Sequence, residues 1–331
     1  MRIERVAMIG TRGHYRTVLR EMEAMPALRV VALSNGGDSV GPIGEWCREN
    51  GHTPKMFDDH RAMLDEARPE LLVVCGPFEA HASMCVDAVE RGVHVIAEKP
   101  AALTLSELDA LSAACERNPS VHLAGMMFSR YDPGFWTAQA LIEAGAIGDV
   151  RLLNARKSYR LGKRDAYYHI RDTYGGTIPW VGSHAIDWVM WMSGHKLKRV
   201  FAAHSSRDNG GNGTMERSAL CHFTLCGERF ASVSIDVFRP ANAPTHGDDW
   251  IRVVGTAGVL EARPGSVTLI NAENDGSKLV PVACERSFLQ DFVDHAEGRG
   301  KMPIDTRSTL ALTRACLLAR QSADEGRAVD F

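Results

Sequence analysis

The sequence has no apolar run near the ~20 residues that a bilayer-spanning helix needs. It has no basic block either. Acids and bases are mixed along the chain and sum to a formal charge of -3. Neither nucleic acid nor a membrane is therefore an expected partner. The opening residues Met1-Arg2-Ile3-Glu4-Arg5 lack the apolar core and cleavage site of a secretory signal. A cytoplasmic location is expected. There is no CxxC pair, since Cys221 and Cys226 stand too far apart. Cys75, Cys85, Cys115 and Cys316 fall inside apolar patterns, where a thiol acts as a small hydrophobe. A cytosolic chain of this size needs no disulfide staples, and the spacing of its ligand-type residues gives no metal site. A strict GxGxxG, an internal repeat and a low-complexity linker are also missing.

What is present divides the chain. At 331 residues it exceeds one ordinary core, so two domains are expected. Over residues 1–125, strand-like runs alternate with helical periodicity. The strands are Arg5–Gly10, Leu28–Leu33, Pro54–Phe57, Leu71–Cys75, Val93–Ala97 and Ser120–Ala124. Tyr15, Val18, Leu19 and Met22 mark one helix face. Thr104-Leu105-Ser106-Glu107 has the form of a capping box. Such alternation with short connections predicts an α/β domain, a doubly wound parallel sheet of the Rossmann type. Residues 126–331 read mainly as strands between Asp149 and Ile270, with two closing helices. They predict an α+β domain on a largely antiparallel, open-faced sheet, serving substrate binding and oligomerisation. A large bare sheet face would be an apolar patch, so a homodimer or homotetramer is expected.

The first strand-to-helix turn is Gly10-Thr11-Arg12-Gly13-His14-Tyr15. A dinucleotide fold needs glycine here, because the backbone turns tightly and approaches a pyrophosphate at a helix N-terminus. This turn is a degraded version of the motif, with Gly10 kept, Arg12 and Tyr15 at the other two positions, and an extra Gly13. The second strand ends in Ser34-Asn35-Gly36 rather than in an acid. Asn35 does not repel a 2′-phosphate and Arg12 is placed to reach one. The cofactor reading is NADP or NAD, with a lean to NADP.

A more specific signal follows. Pro69 to Cys75 leads into Gly76-Pro77-Phe78-Glu79-Ala80-His81, and a helix and a strand later the chain reads Glu98-Lys99-Pro100. This ordered set resembles the Gfo/Idh/MocA family of dehydrogenases. Arg130-Tyr131-Asp132-Pro133, Gly145-Ala146-Ile147-Gly148 and Gly182-Ser183-His184-Ala185-Ile186-Asp187 resemble further segments of it, so the likeness spans nearly the whole chain. The resemblance implies a two-domain fold, NAD or NADP, and redox chemistry at a carbon–oxygen centre, usually of a sugar or cyclitol. One position departs. The family commonly places an Asp four residues before the His, and here that residue is Trp180. The change makes the pocket more apolar and offers a ring for stacking.

Hydride transfer from C–OH requires removal of the hydroxyl proton, and the reverse requires its return. Lys99, at a strand's carboxyl end, is the first candidate for that work. His184 is the second, as relay or hydroxyl ligand. Asp187 reads as an orienting residue. Gly10, Thr11, Arg12, Gly13, His14, Ser34, Asn35, Gly76, Pro77, His81, Glu98 and Lys99 are expected around the cofactor. Lys99, Arg130, Tyr159, Trp180 and His184 are expected around a small-molecule substrate. Tyr159, Tyr167, Tyr168, His169 and Tyr174 form a polar-aromatic cluster able to replace the acid missing at Trp180. The alternative to a dehydrogenase is a dinucleotide-binding sensor or regulatory protein without redox turnover. A lyase or hydrolase using the cofactor transiently is a third reading.

Overall fold

The computed structural model describes residues 2–279, 284 and 286–331. The apolar runs of the first part become strands, each followed by a helix. In order these are β1 Arg5–Ile9, α1 Tyr15–Met22, β2 Arg29–Ser34, α2 Gly41–Glu49, β3 Lys55–Phe57, α3 His60–Ala67, β4 Leu71–Val74, α4 His81–Val89, β5 His94–Ala97, α5 Leu105–Arg117 and β6 Leu123–Gly125. All six strands are parallel, in the order β3-β2-β1-β4-β5-β6. The order reverses between β1 and β4, and ligands of such sheets bind beyond the carboxyl ends at that point. β4 and β5 are buried along their whole length, as strands covered on both faces must be. The expected capping box is formed: the Thr104 hydroxyl accepts from the Glu107 N–H, and the Glu107 carboxylate accepts from the Thr104 N–H at 2.9 Å. Helix α3 gave no signal in the sequence, because Met63 and Leu64 are its buried residues and two positions set no period.

The rest of the chain continues with α6 Pro133–Glu143, β7 Val150–Ser158, α7 Arg171–Tyr174, α8 Ser183–Ser193, β8 Leu197–Ser205, β9 Ser218–Leu225, β10 Arg229–Asp236, β11 Trp250–Gly255, β12 Gly258–Arg263, β13 Ser266–Asn271 and β14 Asp275–Leu279. It ends with α9 Phe288–Ala296, α10 Thr306–Glu325 and β15 Val329–Asp330. These strands form one sheet in the order β14-β13-β12-β11-β7-β10-β9-β8-β15. β7 and β10 run parallel and the other described pairs antiparallel. α8 packs on β7, β10 and β11, and α6 on β12 and β13. The strand registers put Leu152, Phe201, Leu220, Phe230 and Ile270 together on one face, and all five are exposed. The sheet is therefore open on that side, as its alternating pattern predicts.

Two compact units result: Met1–Met127 with Arg286–Thr313, and Phe128–Glu285 with Arg314–Phe331. The sequence puts everything after residue 125 in the second domain. The structure instead returns to the first unit through α9. Phe288, Leu289 and Phe292 are buried there. The Ser287 hydroxyl and the Leu289 N–H both donate to the Glu21 carboxylate, at 2.8 and 2.7 Å. A helix's own periodicity says which face is buried, not which sheet buries it.

Candidate active site

In the first unit, the turn after β1 is built for close backbone approach. Gly10 has φ 67° and Gly13 has φ 69°, a region L side chains rarely adopt. A Cβ on Gly10 would collide with the Cys75 carbonyl, and one on Gly13 with the Glu98 carboxylate. The Arg12 N–H donates to the same Cys75 carbonyl at 2.8 Å, tying the turn to the end of β4. The start of α1 then offers N–H groups and the positive end of its dipole. These features fit the pyrophosphate of a dinucleotide.

Glu98 and Lys99 follow β5. Glu98 is buried, and its Oε2 accepts from the His14 N–H at 2.9 Å and meets His14 Nδ1 at 2.8 Å. Burial alone would push its carboxyl up. The His14 charge and hydrogen bonds, with Lys99 beside it, reverse this and bring it down to about 2. Lys99 Nζ stands 3.9 Å from Glu98 Oε1, with its side chain 9% exposed. The Lys99–Pro100 peptide is cis. His81 is fully buried, with Nδ1 at 2.9 Å from the Pro100 carbonyl and Nε2 at 3.0 Å from the Gly76 carbonyl. It fastens the loop after β4 to the turn after Lys99. Burial holds its ring below the ordinary histidine pKa, against the raising effect of those two carbonyls.

The remaining cofactor candidates lie in the same unit. The Thr11 hydroxyl donates to the Ser39 carbonyl at 2.7 Å. Ser34 is buried, and its hydroxyl has no hydrogen-bond partner among the described residues. Asn35 is exposed and accepts from the Gly37 N–H. Pro77 precedes a short 3-10 turn at Phe78–Ala80. Arg12 differs most from expectation. Its Nε and Nη2 reach the two oxygens of Asp38 at 2.7 and 3.1 Å, Nη1 is 3.5 Å from Glu79, and the guanidinium lies over Phe78. Sequence reasoning stopped at Asn35 and missed this acid. The signal was available in the glycine pair Gly36-Gly37, which turns the chain immediately before Asp38.

In the second unit, a π-helical turn at Ile178–Gly182 feeds α8, a distortion frequent at functional sites. A Cβ on Gly182 would collide with Ile235 of β10, so this glycine seats the helix start on the sheet. His184 follows, buried, with Nδ1 at 3.3 Å from the Ser129 hydroxyl. The Trp188 Nε1 donates to that hydroxyl at 3.2 Å. Trp180 is buried against Tyr168, ring centroids 4.4 Å apart, and Arg164 lies 4.9 Å over it. Lys157 pairs with Asp249 and lies over the rings of Tyr159 and Trp188 at 4.9 and 5.2 Å. Ser129, Lys157 and Arg164 were not singled out from the sequence. They join over long separations that no local pattern shows.

Two candidates take other roles here. Arg130, expected at the substrate, is held by Asp187 in a buried two-point pair, at 2.8 and 2.6 Å, and its guanidinium also lies over Trp191. Tyr174, one of the candidate acids, is fully buried with its hydroxyl on the Glu216 carboxylate. Burial and that carboxylate push it well above the ordinary phenol range.

Profile comparison agrees with this geometry. The oxidoreductase family with an NAD-binding Rossmann fold matches residues 4–125, and the GFO/IDH/MocA C-terminal domain matches residues 135–261. A solved structure from Thermotoga maritima, assigned to the oxidoreductases, is 36% identical, covers 99% of this chain and 100% of its own, and superposes with a TM-score of 0.93. The chain belongs to the Gfo/Idh/MocA family. Inositol 2-dehydrogenase 1 of Saccharopolyspora erythraea is 25% identical over 96% of this chain and 94% of its own. An inositol dehydrogenase homologue from Azotobacter vinelandii, solved with NAD+, shares the fold at a TM-score of 0.82 and 18% identity, covering 100% and 98% of the two chains. This Gfo/Idh/MocA protein is thus an oxidoreductase whose first unit is the NAD-binding one. The resemblance read from Glu98-Lys99-Pro100 is correct.

Proposed function

We propose that this oxidoreductase interconverts a hydroxyl and a carbonyl on a sugar, cyclitol or related hydroxy/keto compound. The observation that carries this reading is Lys99, buried beyond the carboxyl end of β5 and beside Glu98 in a dinucleotide-binding unit. The nicotinamide dinucleotide, when bound, accepts or supplies the hydride. Lys99 then takes the hydroxyl proton, or returns it to the carbonyl oxygen. For His184 the reading is a proton relay or a ligand of a substrate hydroxyl, with its Nδ1 set by Ser129. The names of its relatives, inositol 2-dehydrogenase among them, support the substrate class.

For the cofactor, Arg12 alone favours NADP. With Asp38 gripping its guanidinium at two points the balance moves to NAD, since the acid also repels a 2′-phosphate. Fluorescence titration tests this. NADH binds more tightly than NADPH, and Asp38→Ala, which removes the carboxylate held by Arg12 Nε and Nη2, shifts the preference toward NADPH. Tighter NADPH binding by the unaltered protein returns the assignment to NADP. Cofactor binding with no turnover of any polyol, keto sugar or sugar acid favours a sensor instead.

Six buried thiols support work in the reducing cytoplasm. Among the described residues no helix is long and apolar enough to cross a membrane. The exposed Phe201, Leu220 and Phe230 support association of copies through the open sheet face as a homodimer or homotetramer. Light scattering gives a multiple of 36.3 kDa, and Leu220→Lys lowers it. A monomeric mass for the unaltered protein overturns this reading.

A further inference from the structure

The segment after β7 carries an unusual set of charges. The Arg164 guanidinium lies over Trp180 at 4.9 Å and over Tyr168 at 5.7 Å. One Nη donates to the Arg160 carbonyl at 3.1 Å, but Nε is buried with no hydrogen-bond partner among the described residues. Arg160 Nε is in the same state, and so is Oδ1 of Asp249, whose other oxygen pairs with Lys157. Native proteins leave few buried polar atoms unpaired, and each calls for a cause.

These three atoms share one neighbourhood. The Arg160 N–H donates to the His246 carbonyl at 3.1 Å, and the His246 ring packs against Tyr159 at 5.1 Å. Burial first, and then Arg164, Arg160 and Lys157, hold that ring below its ordinary pKa, while Asp249 opposes them. Cations are in excess here. Asp248 is already taken by Arg156, Arg239 and Arg263. Among the described residues no carboxylate lies within ion-pair distance of Arg160 or Arg164.

The cluster also adjoins His184. Arg164 stands on Trp180, four residues before that histidine. Lys157 lies over Trp188, which shares the Ser129 hydroxyl with it.

We propose that Arg164 binds a carboxylate of the substrate, and that the substrate is a sugar acid rather than a neutral polyol. This rests on the reading above that the surroundings of His184 receive the substrate. A planar guanidinium matches a carboxylate through two parallel N–H bonds, and the rings behind it keep water from competing. A carboxylate supplies both the acceptor that Nε lacks and the negative charge the cluster lacks. Asp249 Oδ1 is an acceptor without a donor, and a sugar hydroxyl supplies one. One ligand with a carboxylate and hydroxyls therefore answers the orphaned donor and the orphaned acceptor together.

The test compares D-glucuronate and D-gluconate with D-glucose, myo-inositol and D-glucose 6-phosphate as substrates, with NAD+ and NADP+. An acid exceeds the neutral compounds in kcat/KM by about 100-fold or more. Arg164→Met collapses that ratio toward one, mainly through KM, and Arg164→Lys recovers part of it. Unchanged NADH affinity and thermal unfolding in Arg164→Met show that the protein is still folded. A neutral sugar used as well as the acids overturns the proposal, and so does a phosphate ester used better than they are. Binding gives a second readout, through Trp fluorescence of the NADH-loaded protein on addition of D-glucuronate. A response that Arg164→Met loses, without any NAD(P)H formation, supports the carboxylate site and removes the dehydrogenase reading. No response and no preference for acids overturns the site, while turnover of neutral polyols leaves the dehydrogenase reading standing.

Discussion

Lys99→Met lowers kcat by about 1,000-fold or more, within the range a positioned proton donor or acceptor contributes, while NADH still binds. Methionine keeps most of the apolar stem and its packing but removes the ammonium. The fold does not depend on that ammonium for pairing Glu98, because His14 already gives Glu98 a backbone N–H at 2.9 Å and a ring nitrogen at 2.8 Å. The loss therefore appears in the chemical step. Lys99→Arg separates two roles for the residue. Arginine keeps the charge but does not give up its proton in proteins. If Lys99 only fixes a developing oxyanion, Lys99→Arg retains much of the rate. If it moves the proton, Lys99→Arg is nearly as slow as Lys99→Met, and the limb of the pH–rate profile that reports the lysine disappears. Lys99→Met activity within tenfold of the parent removes Lys99 from the chemistry.

The placing of Lys99 just after a buried strand was legible because its signal is local: a strand, then Glu-Lys-Pro, in a sequence that had already paired strand with helix three times. The same holds for Gly10 and Gly13, where a turn between strand and helix demands glycine. It fails where function depends on a partner distant in sequence. Arg12 suggested a phosphate ligand until Asp38, 26 residues away, was seen to hold it. Arg130 suggested a substrate ligand until Asp187, 57 residues away, was seen to hold its Nε and one Nη. In each case the sequence offered no way to choose between a ligand and the protein's own carboxylate. The second unit was harder still, since Lys157 with Asp249 and Arg164 with Trp180 are joined only once β7, β11 and the π-turn are in place. Helix α6 has no counterpart in the sequence reading; Pro at its first turn and the Asp132 cap are what start it.

Gly13→Ala destabilises the protein more than backbone strain accounts for, and removing the Glu98 side chain relieves the excess. Alanine at φ 69° is strained by about 1–2 kcal/mol. Its Cβ also falls on the Glu98 carboxylate. The carboxylate is displaced from His14 and left as a buried charge without its donors, a class of change costing about 3–5 kcal/mol. In Gly13→Ala/Glu98→Ala nothing remains for the Cβ to strike. The double variant is then less destabilised than the sum of the single ones, by roughly 1–3 kcal/mol, as equilibrium denaturation measures. Acid titration gives an independent readout. Glu98 lies at about 2 in the folded protein against an ordinary 4.5. A depressed carboxyl stabilises the fold above its unfolded value and loses that contribution as pH falls from about 4.5 toward 2. The difference is on the order of 3 kcal/mol at neutral pH. Glu98→Gln keeps the shape, loses this part of the acid dependence and is less stable at pH 7. Additive single variants together with an unchanged acid limb in Glu98→Gln mean that Gly13 is required only for its backbone angle, and that the contact between the β1 turn and the residue before Lys99 contributes nothing to holding them in place.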